Sequence, residues 1–317
     1  MNKVRDARLC GVRLLLALGF ALASAAGCGP RERAEPDRDG PADGKAAPPP
    51  RIVCGTPAVA EIVFALGCGD RVVGVSDYTV YPPEAKAKRS IGGWINPNRE
   101  RLLVVRPDLV ISQGQHQRLA TFAGEYGIRF HTVTLDTLAD VYSAVDSIAG
   151  MLGVPQRGET LNAEIRRDLA AVRARAADTR SPRVFLLLGR TPGSLTGLST
   201  VGAGTFLDDM IRVAGGTNVF ADASGAYPQV SKESLLLRRP EVILEVHPGG
   251  LPDGTIALLR ADWRELADLP AVRNDRIHYL TNDFLLIPGP RVGRVAETFA
   301  DAIQSRDGAD RVEQGDG

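Results

Sequence analysis

The chain has 317 residues, of which 44% are hydrophobic and 24% charged, and its formal net charge is +0. This apolar fraction excludes a disordered chain, and the length allows one large domain or two smaller ones. A neutral chain has no broad basic surface, so the composition argues against nucleic-acid binding.

The first residues have the pattern of a secretion signal. Lys3 and Arg5 precede an apolar run at 14–26, which is shorter than the about 20 residues needed to cross a membrane. The run leads into Ala25-Ala26-Gly27-Cys28, which resembles the cleavage box of bacterial lipoproteins. That resemblance implies a signal peptide at 1–27 and a lipidated Cys28. Ordinary cleavage near Ala25, which would release a soluble protein, is the alternative.

The next segment predicts a tether. Residues 29–50 contain six prolines, many charges and almost nothing apolar, a composition that cannot form a core. We therefore expect a disordered tether at 28–50 behind the lipid anchor, and a folded body from Arg51. The C-terminal residues 305–317 are expected to form a disordered tail.

The body alternates between short apolar runs and helical patterns, which predicts the α/β class with parallel sheets. An N-terminal lobe is predicted at 51–154, a long linking helix at 155–181 and a C-terminal lobe at 182–304. The predicted strands of the two lobes lie at 51–54, 71–75, 109–112, 129–133, 184–188, 242–246 and 277–280. Helices are predicted at 58–66, 98–105, 118–126, 138–152 and 155–180. Cys54 ends a strand and Cys68 follows a helix, a spacing too long for a disulfide, so both thiols are expected to be free and mostly buried.

An internal repeat supports two lobes. Residues 100–111 align with 233–244 at an offset of 133, with five of twelve positions identical. Each copy predicts a short helix, an Arg-Pro break and a buried strand. Duplication of a lobe and convergence on a common helix–proline–strand unit both explain the match.

Several motifs together resemble one family. They are Ser76-Asp77-Tyr78, Tyr81-Pro82-Pro83-Glu84, Asn96-Pro97-Asn98 and Tyr227-Pro228-Gln229-Val230-Ser231. The set is similar to the periplasmic-binding domain of cobalamin and ferric-siderophore ABC importers, over roughly residues 51–304. The resemblance implies two lobes joined by a rigid helix, with the ligand in the cleft between them.

That resemblance also implies the chain's partners. We expect a monomer on the outer side of the cytoplasmic membrane, periplasmic or otherwise extracytoplasmic. It would deliver a small molecule to an ABC permease dimer with its ATPase subunits. Cobalamin or another corrinoid is the first expectation for this ligand, and a ferric siderophore or haem is the alternative. No cofactor beyond the transported cobalamin or ferric chelate is expected, and no metal site of the protein's own.

Candidate ligand contacts lie on loops at the carboxyl ends of the predicted strands, where parallel α/β sheets bind ligands. A flat corrin with a polar rim suits aromatic walls and a few polar partners. Trp94, Tyr227 and Asp283 fall where the resembled family contacts its ligand, although Tyr227 replaces a larger tryptophan. The full set of predicted ligand contacts is Tyr78, Trp94, Tyr227, Asp283 and Phe284. Packing within the loops is the alternative for each aromatic ring.

Other loop residues bear on the choice of ligand. His116 and His247 follow strands in different lobes and are candidate axial ligands for haem iron or cobalt, although lone loop histidines more often form ordinary hydrogen bonds. Arg118, Arg190 and Arg291 lie on candidate cleft loops and would suit an anionic siderophore.

Glu100 and Glu233 stand in the first turns of the two repeated helices. There a carboxylate stabilises the positive end of the helix dipole. The resemblance adds a second role, because both fall where the family pairs surface glutamates with permease arginines. One acid in each lobe would match a two-fold symmetric permease.

An enzyme is the competing class. The chain has no GxSxG, Walker or strand-linked GxGxxG motif, and its carboxylates show no paired arrangement. We expect no catalysis.

Overall fold

The computed structural model describes residues 48–177 and 180–305. The predicted signal peptide at 1–27, Cys28, most of the tether and nearly all of the tail lie outside the described residues. In the part of the chain that is described, no helix is both long and apolar enough to span a membrane.

The first sheet has four parallel strands in the order β2-β1-β3-β4. These are β1 (Ile52–Cys54), β2 (Val72–Val75), β3 (Leu109–Gln113) and β4 (Arg129–Val133). The helices between and after them are α1 (Pro57–Ala65), α2 (Pro83–Lys86), α3 (Arg99–Val105), α4 (Gln117–Glu125) and α5 (Leu138–Leu152). β1 lies between β2 and β3 and is fully buried, which explains its unbroken apolar sequence.

One helix, α6 (Pro155–Ala176), follows the first sheet. It begins at a proline, whose fixed φ and missing N–H suit the first helical position, and it carries Arg173 and Arg175 in its last turn. The sequence predicted a helix as far as 180, whereas the structure ends it at Ala176. Its buried residues recur every three or four positions: Leu161, Ile165, Leu169, Val172 and Ala176.

The second sheet is also parallel, in the order β10-β9-β5-β7. Its strands are β5 (Arg183–Leu187), β7 (Thr217–Asn218), β9 (Val242–Val246) and β10 (Ile277–Leu280). β6 (Leu198–Ser199) and β8 (Gln229–Val230) form a separate antiparallel pair. The helices of this half are α7 (Phe206–Val213), α8 (Lys232–Arg238), α9 (Thr255–Trp263), α10 (Pro270–Arg273) and α11 (Val292–Gln304). The predicted α/β class with parallel sheets in two lobes is therefore confirmed.

The main apolar core is continuous through α6. It contains strand residues of both sheets, among them Ile52 and Val242, together with the buried face of α6 and the inner faces of α5 and α11. Cys54 and Cys68 are buried in this core as free thiols, which confirms that prediction.

The repeat has the same backbone in both copies. α3 and α8 each end at an arginine in the left-handed region, Arg106 with φ 42° and Arg239 with φ 48°, followed by proline and the next strand. The carbonyl oxygens of these two arginines accept from the side chains of Arg51 and Arg183, at 3.0 and 2.9 Å. The equivalence therefore extends beyond the aligned residues to the strands β1 and β5.

A buried histidine gives the fold a pH dependence. His278 lies in β10, and its Nε2 has no partner among the described residues. Burial, with the charges of Arg276 and Arg260, lowers the pKa of His278 to about 4. Between pH 6.5 and 4, His278 is therefore protonated in the unfolded chain but stays neutral in the folded chain. The free energy of unfolding consequently falls as the pH is lowered.

The free energy of unfolding that the wild type loses between pH 6.5 and pH 4 is about 3 kcal/mol. We expect His278→Gln to remove this loss. Urea unfolding at pH 7 and pH 4.5 measures it. His131→Gln is the matched control, because His131 is only partly buried and hydrogen-bonds Ser147 at 3.1 Å. Equal pH slopes for wild type and His278→Gln would contradict the prediction.

Candidate functional site

The carboxyl ends of the parallel strands bring the candidate loops to one edge of each sheet. In the first lobe, Tyr78, His116 and Asp136 follow β2, β3 and β4. In the second lobe, His247 follows β9 and Asp283 follows β10. Trp94 lies on the loop before α3.

Trp94 is held in a tight loop beside two other rings. Gly92 has φ +96°, a conformation that disfavours any side chain, and the Asn98 amide closes the loop on the Ile91 carbonyl at 2.7 Å. The Trp94 indole is 40% exposed, and its centroid is 5.4 Å from the His116 ring, edge to face. The Tyr78 ring lies next to Gly93, and its side chain is largely exposed. The structure therefore brings Trp94 and His116 into contact, with the exposed Tyr78 ring beside the neighbouring Gly93.

The imidazole of His116 is partly exposed beside the Trp94 ring. Partial burial lowers its pKa below the ordinary histidine value, so the ring is neutral at pH 7. A neutral imidazole has one nitrogen lone pair that a metal or a hydrogen-bond donor can use.

Among the described residues of the second lobe, Tyr227 is the exposed aromatic one. The loop that carries it is fastened on both sides, because the Gly202 amide donates to Ala226 at 2.8 Å and the Thr200 amide to Pro228 at 3.0 Å. Burial, together with the nearby Asp136 carboxylate, raises the pKa of the Tyr227 hydroxyl. Since Asp136 belongs to the first lobe, Tyr227 stands where the two lobes meet.

Hydrogen bonds donated by backbone amides join the lobes beside Tyr227. The Phe206 amide at the start of α7 donates to the Asp136 carbonyl at 2.5 Å. The Leu138 amide at the start of α5 donates to the Asp209 carboxylate at 2.8 Å. Both contacts satisfy amides of the first helical turn, which have no partner within their own helix.

A buried ion cluster joins the lobes at a second place. Arg291 makes two hydrogen bonds to the Glu61 carboxylate of α1, at 2.6 and 3.0 Å, and one to Asp283 at 3.0 Å. Its guanidinium also lies 4.0 Å from the centroid of Tyr81. Burial alone would lower the pKa of Arg291, but hydrogen bonds and charge from Glu61 and Asp283 raise it. Asp283 keeps a partly exposed side chain, so Arg291 holds an accessible carboxylate on the loop after β10.

Two of the three arginines suggested for an anionic ligand are already occupied. Arg190 has a side chain only 4% exposed and pairs with Glu245 at 2.9 Å and Asp262 at 2.7 Å. Arg291 is paired as described above, and only Arg118 is exposed. Carboxylates therefore neutralise two of the three arginines that would suit an anionic siderophore, which weakens that alternative.

Two further predicted residues are less accessible than expected. Phe284 is 4% exposed and packs in the main core, with Arg291 and Arg294 beside its ring, which corrects the expectation that it faces the ligand. The alternative of loop packing describes its position. His247 hydrogen-bonds the buried Glu245 at 3.2 Å, so one of its nitrogens already has a partner.

Glu100 and Glu233 are exposed in the first turns of α3 and α8. Among the described residues neither carboxylate has an ion-pair partner. A hydrogen bond from Ser231 and one from the backbone lower the pKa of Glu233. Both carboxylates are therefore exposed and available to an outside cation. Each of these helices leads into a strand, so each begins near the edge at which the cleft loops lie.

The described residues contain no group of three or more metal-ligating side chains that could hold an ion.

Comparison with known proteins identifies the family. The sequence pattern of the periplasmic binding protein family matches residues 52–284. The chain belongs to this family. A vitamin B12-binding protein of Vibrio parahaemolyticus is 29% identical over 246 residues, which cover 77% of this chain and 86% of that protein.

Two solved structures of this family resemble the fold closely. The periplasmic haem-binding protein RhuT of Roseiflexus is 31% identical, with a TM-score of 0.67 and coverage of 80% of this chain and 99% of that one. The periplasmic vitamin B12-binding protein BtuF of Vibrio cholerae is 28% identical, with a TM-score of 0.67 and coverage of 81% of this chain and 97% of that one.

Sequence reasoning missed three residues of the site. Glu61, Tyr81 and Asp136 received no role, although each takes part in a contact between the two lobes. A signal for Glu61 was present, because it is the one charged residue in the apolar helix 57–65. A buried acid there requires a cation from elsewhere in the fold.

Proposed function

We propose that this periplasmic binding protein captures cobalamin or another corrinoid and delivers it to an ABC permease. The observation that carries the proposal is the pair of exposed aromatic walls, Trp94 with Tyr78 in one lobe and Tyr227 in the other. A corrin is wide and flat, so rings on both lobes can cover its apolar surface. Relatives named vitamin B12-binding proteins support this ligand.

Haem is the second candidate, and His116 favours it. A neutral imidazole against the Trp94 ring places a potential iron ligand beside an aromatic wall. The haem-binding protein of Roseiflexus, at 31% identity, supports the same alternative. A ferric siderophore has less support, since Arg190 and Arg291 are neutralised within the protein.

One titration separates these ligands. The purified protein is titrated with cyanocobalamin, haemin and a ferric siderophore, with heat and absorbance recorded. We expect saturable 1:1 binding of cyanocobalamin and no lasting chemical change in it, as for a binding protein rather than an enzyme. Saturable binding of haemin alone, with a Soret shift lost in His116→Ala, would replace the corrinoid with haem. Turnover of any bound compound would overturn the assignment to a carrier.

Delivery requires a partner, for which Glu100 and Glu233 are the proposed contacts. Exposed carboxylates in equivalent positions of two lobes suit two equivalent arginine clusters on a permease dimer with its ATPase subunits. Such charges orient the encounter and raise its rate more than they raise affinity. The protein itself is proposed to act as a monomer.

We further propose that Cys28 carries a lipid that holds the protein at the outer surface of a membrane. The basic and apolar segment before it and the proline-rich tether after it support this placement. Cys28→Ala is expected to move the protein from the membrane fraction to the soluble extracytoplasmic fraction. A processed Cys28→Ala protein that stays with the membrane would exclude lipidation at this residue.

A further inference from the structure

The two helices that carry Glu100 and Glu233 share a second feature. In α3, Leu102 is fully buried while Leu103 and Val104 are exposed. In α8, 133 residues later, Leu235 is fully buried while Leu236 and Leu237 are exposed. Val104 is 61% and Leu237 83% exposed. The fold thus presents the same exposed aliphatic pair twice, at equivalent positions of its two lobes.

The core does not require these pairs. Two other positions of the aligned helices differ in chemistry, since Arg101 aligns with Ser234 and Val105 aligns with Arg238. Large aliphatic side chains nevertheless stand at both exposed positions of both helices. Single exposed apolar residues are common and need no explanation, but a duplicated pair in register indicates a shared role.

The aliphatic pairs lie next to the acids. On a helix, residues three and four apart share one face, so Glu100 lies beside Leu103 and Val104. The same spacing places Glu233 beside Leu236 and Leu237. The side chains of Asn98 and Ser231 cap the two helices at equivalent positions, accepting from the amides of Arg101 and Ser234 at 2.9 and 3.3 Å. Each lobe therefore presents one patch made of a free carboxylate and two aliphatic side chains.

A partner for such patches must offer a cation beside an apolar depression, and must offer this twice. A dimer of identical or similar membrane subunits has that arrangement, because its two-fold axis repeats every surface feature. Desolvated side chains at the centre of an interface carry most of the binding energy, whereas exposed charges at the rim steer association.

We propose that Leu103 with Val104, and Leu236 with Leu237, are the apolar centres of two docking patches, each seated on one subunit of the permease dimer. This inference rests on the docking role proposed for Glu100 and Glu233 and adds the groups that hold the complex together. The acids set the rate at which the complex forms, and the aliphatic pairs set the rate at which it dissociates.

The test compares two double variants of the full chain with the ABC permease complex purified from the organism that encodes it, held in nanodiscs. Val104→Ser with Leu237→Ser removes the centre of each patch, and Glu100→Arg with Glu233→Arg reverses each charge. Leu258→Ser is the matched control, because Leu258 on α9 is 71% exposed and belongs to neither patch.

We expect the double serine variant to bind the permease at least tenfold more weakly, mainly through faster dissociation, while Leu258→Ser binds like wild type. Val104→Ser alone and Leu237→Ser alone are each expected to cause part of this loss of affinity for the permease. Melting temperature and affinity for cyanocobalamin should stay unchanged, since the replaced side chains are exposed.

The outcomes distinguish this inference from the function on which it rests. If the double serine variant binds like Leu258→Ser while the arginine variant fails to bind, the apolar centres are wrong and the docking acids stand. If both variants bind like wild type, the docking role itself is wrong. A wild-type chain that dimerises in sedimentation, with the serine variant monomeric, would assign the pairs to self-association and overturn the proposal. Serine-sensitive retention on vesicles of phosphatidylethanolamine and phosphatidylglycerol would overturn it in favour of a lipid surface.

Discussion

A chain that carries Glu100→Arg together with Glu233→Arg is expected to bind its ligand with nearly unchanged affinity and to deliver none of it. Each reversal replaces an attraction for a permease arginine with a repulsion between like charges, and it does so at both lobes at once. The measurements are ligand affinity by calorimetry and stimulation of permease ATPase activity by the loaded protein. We expect stimulation to fall below detection.

The control must separate docking from folding. A cation in the first turn opposes the helix dipole, so a thermal melt is needed to show that the variant is folded at the assay temperature. Glu159→Arg with Glu164→Arg on α6 makes the same change in net charge at two exposed sites and should keep full stimulation. If the arginine variant at 100 and 233 is folded and stimulates normally, the docking assignment fails. If its ligand affinity falls together with its activity, the two acids belong to the cleft instead.

The fold was predictable because its signals are local. A buried parallel strand such as β1 is a continuous apolar run, and the sequence places β4, β9 and β10 at the observed residues. The end of α6 was less well predicted, since Ala177 and Arg180 continue the helical composition past Ala176 and no proline interrupts the chain before Pro182.

The site was only partly predictable, because pairing across the chain leaves little local trace. Arg190 and Arg291 have the loop positions of ligand-binding cations, but their partners Glu245 and Glu61 lie 55 and 230 residues away. Nothing near either arginine indicates that a buried carboxylate neutralises it. Phe284 lies next to the accessible Asp283 in sequence, yet the chain turns its ring into the core.

The lobe contacts explain why the aromatic walls can act together. The Glu61–Arg291 pair and the Phe206–Asp136 hydrogen bond hold one lobe against the other at two separate places. A wall on each lobe is then held at a set separation before the ligand arrives, which reduces the ordering that binding requires. For this reason we expect a large loss of ligand affinity when the aromatic residue of either lobe is removed.

Trp94→Ala and Tyr227→Ala are each expected to weaken cyanocobalamin binding about 30-fold, which corresponds to about 2 kcal/mol for an aromatic residue that anchors a ligand. Both rings stand exposed on loops and take no part in the main core, so the melting temperature should change little. Tyr126→Ala is the matched control, because Tyr126 is 54% exposed, as Tyr227 is, but follows α4 at the opposite edge of its sheet. Calorimetry measures the affinity of all three variants for cyanocobalamin.

The aromatic-wall assignment fails for any residue whose alanine variant binds as tightly as Tyr126→Ala. If Trp94→Ala alone is weakened, the ligand lies against the first lobe and Tyr227 belongs only to the contact between lobes.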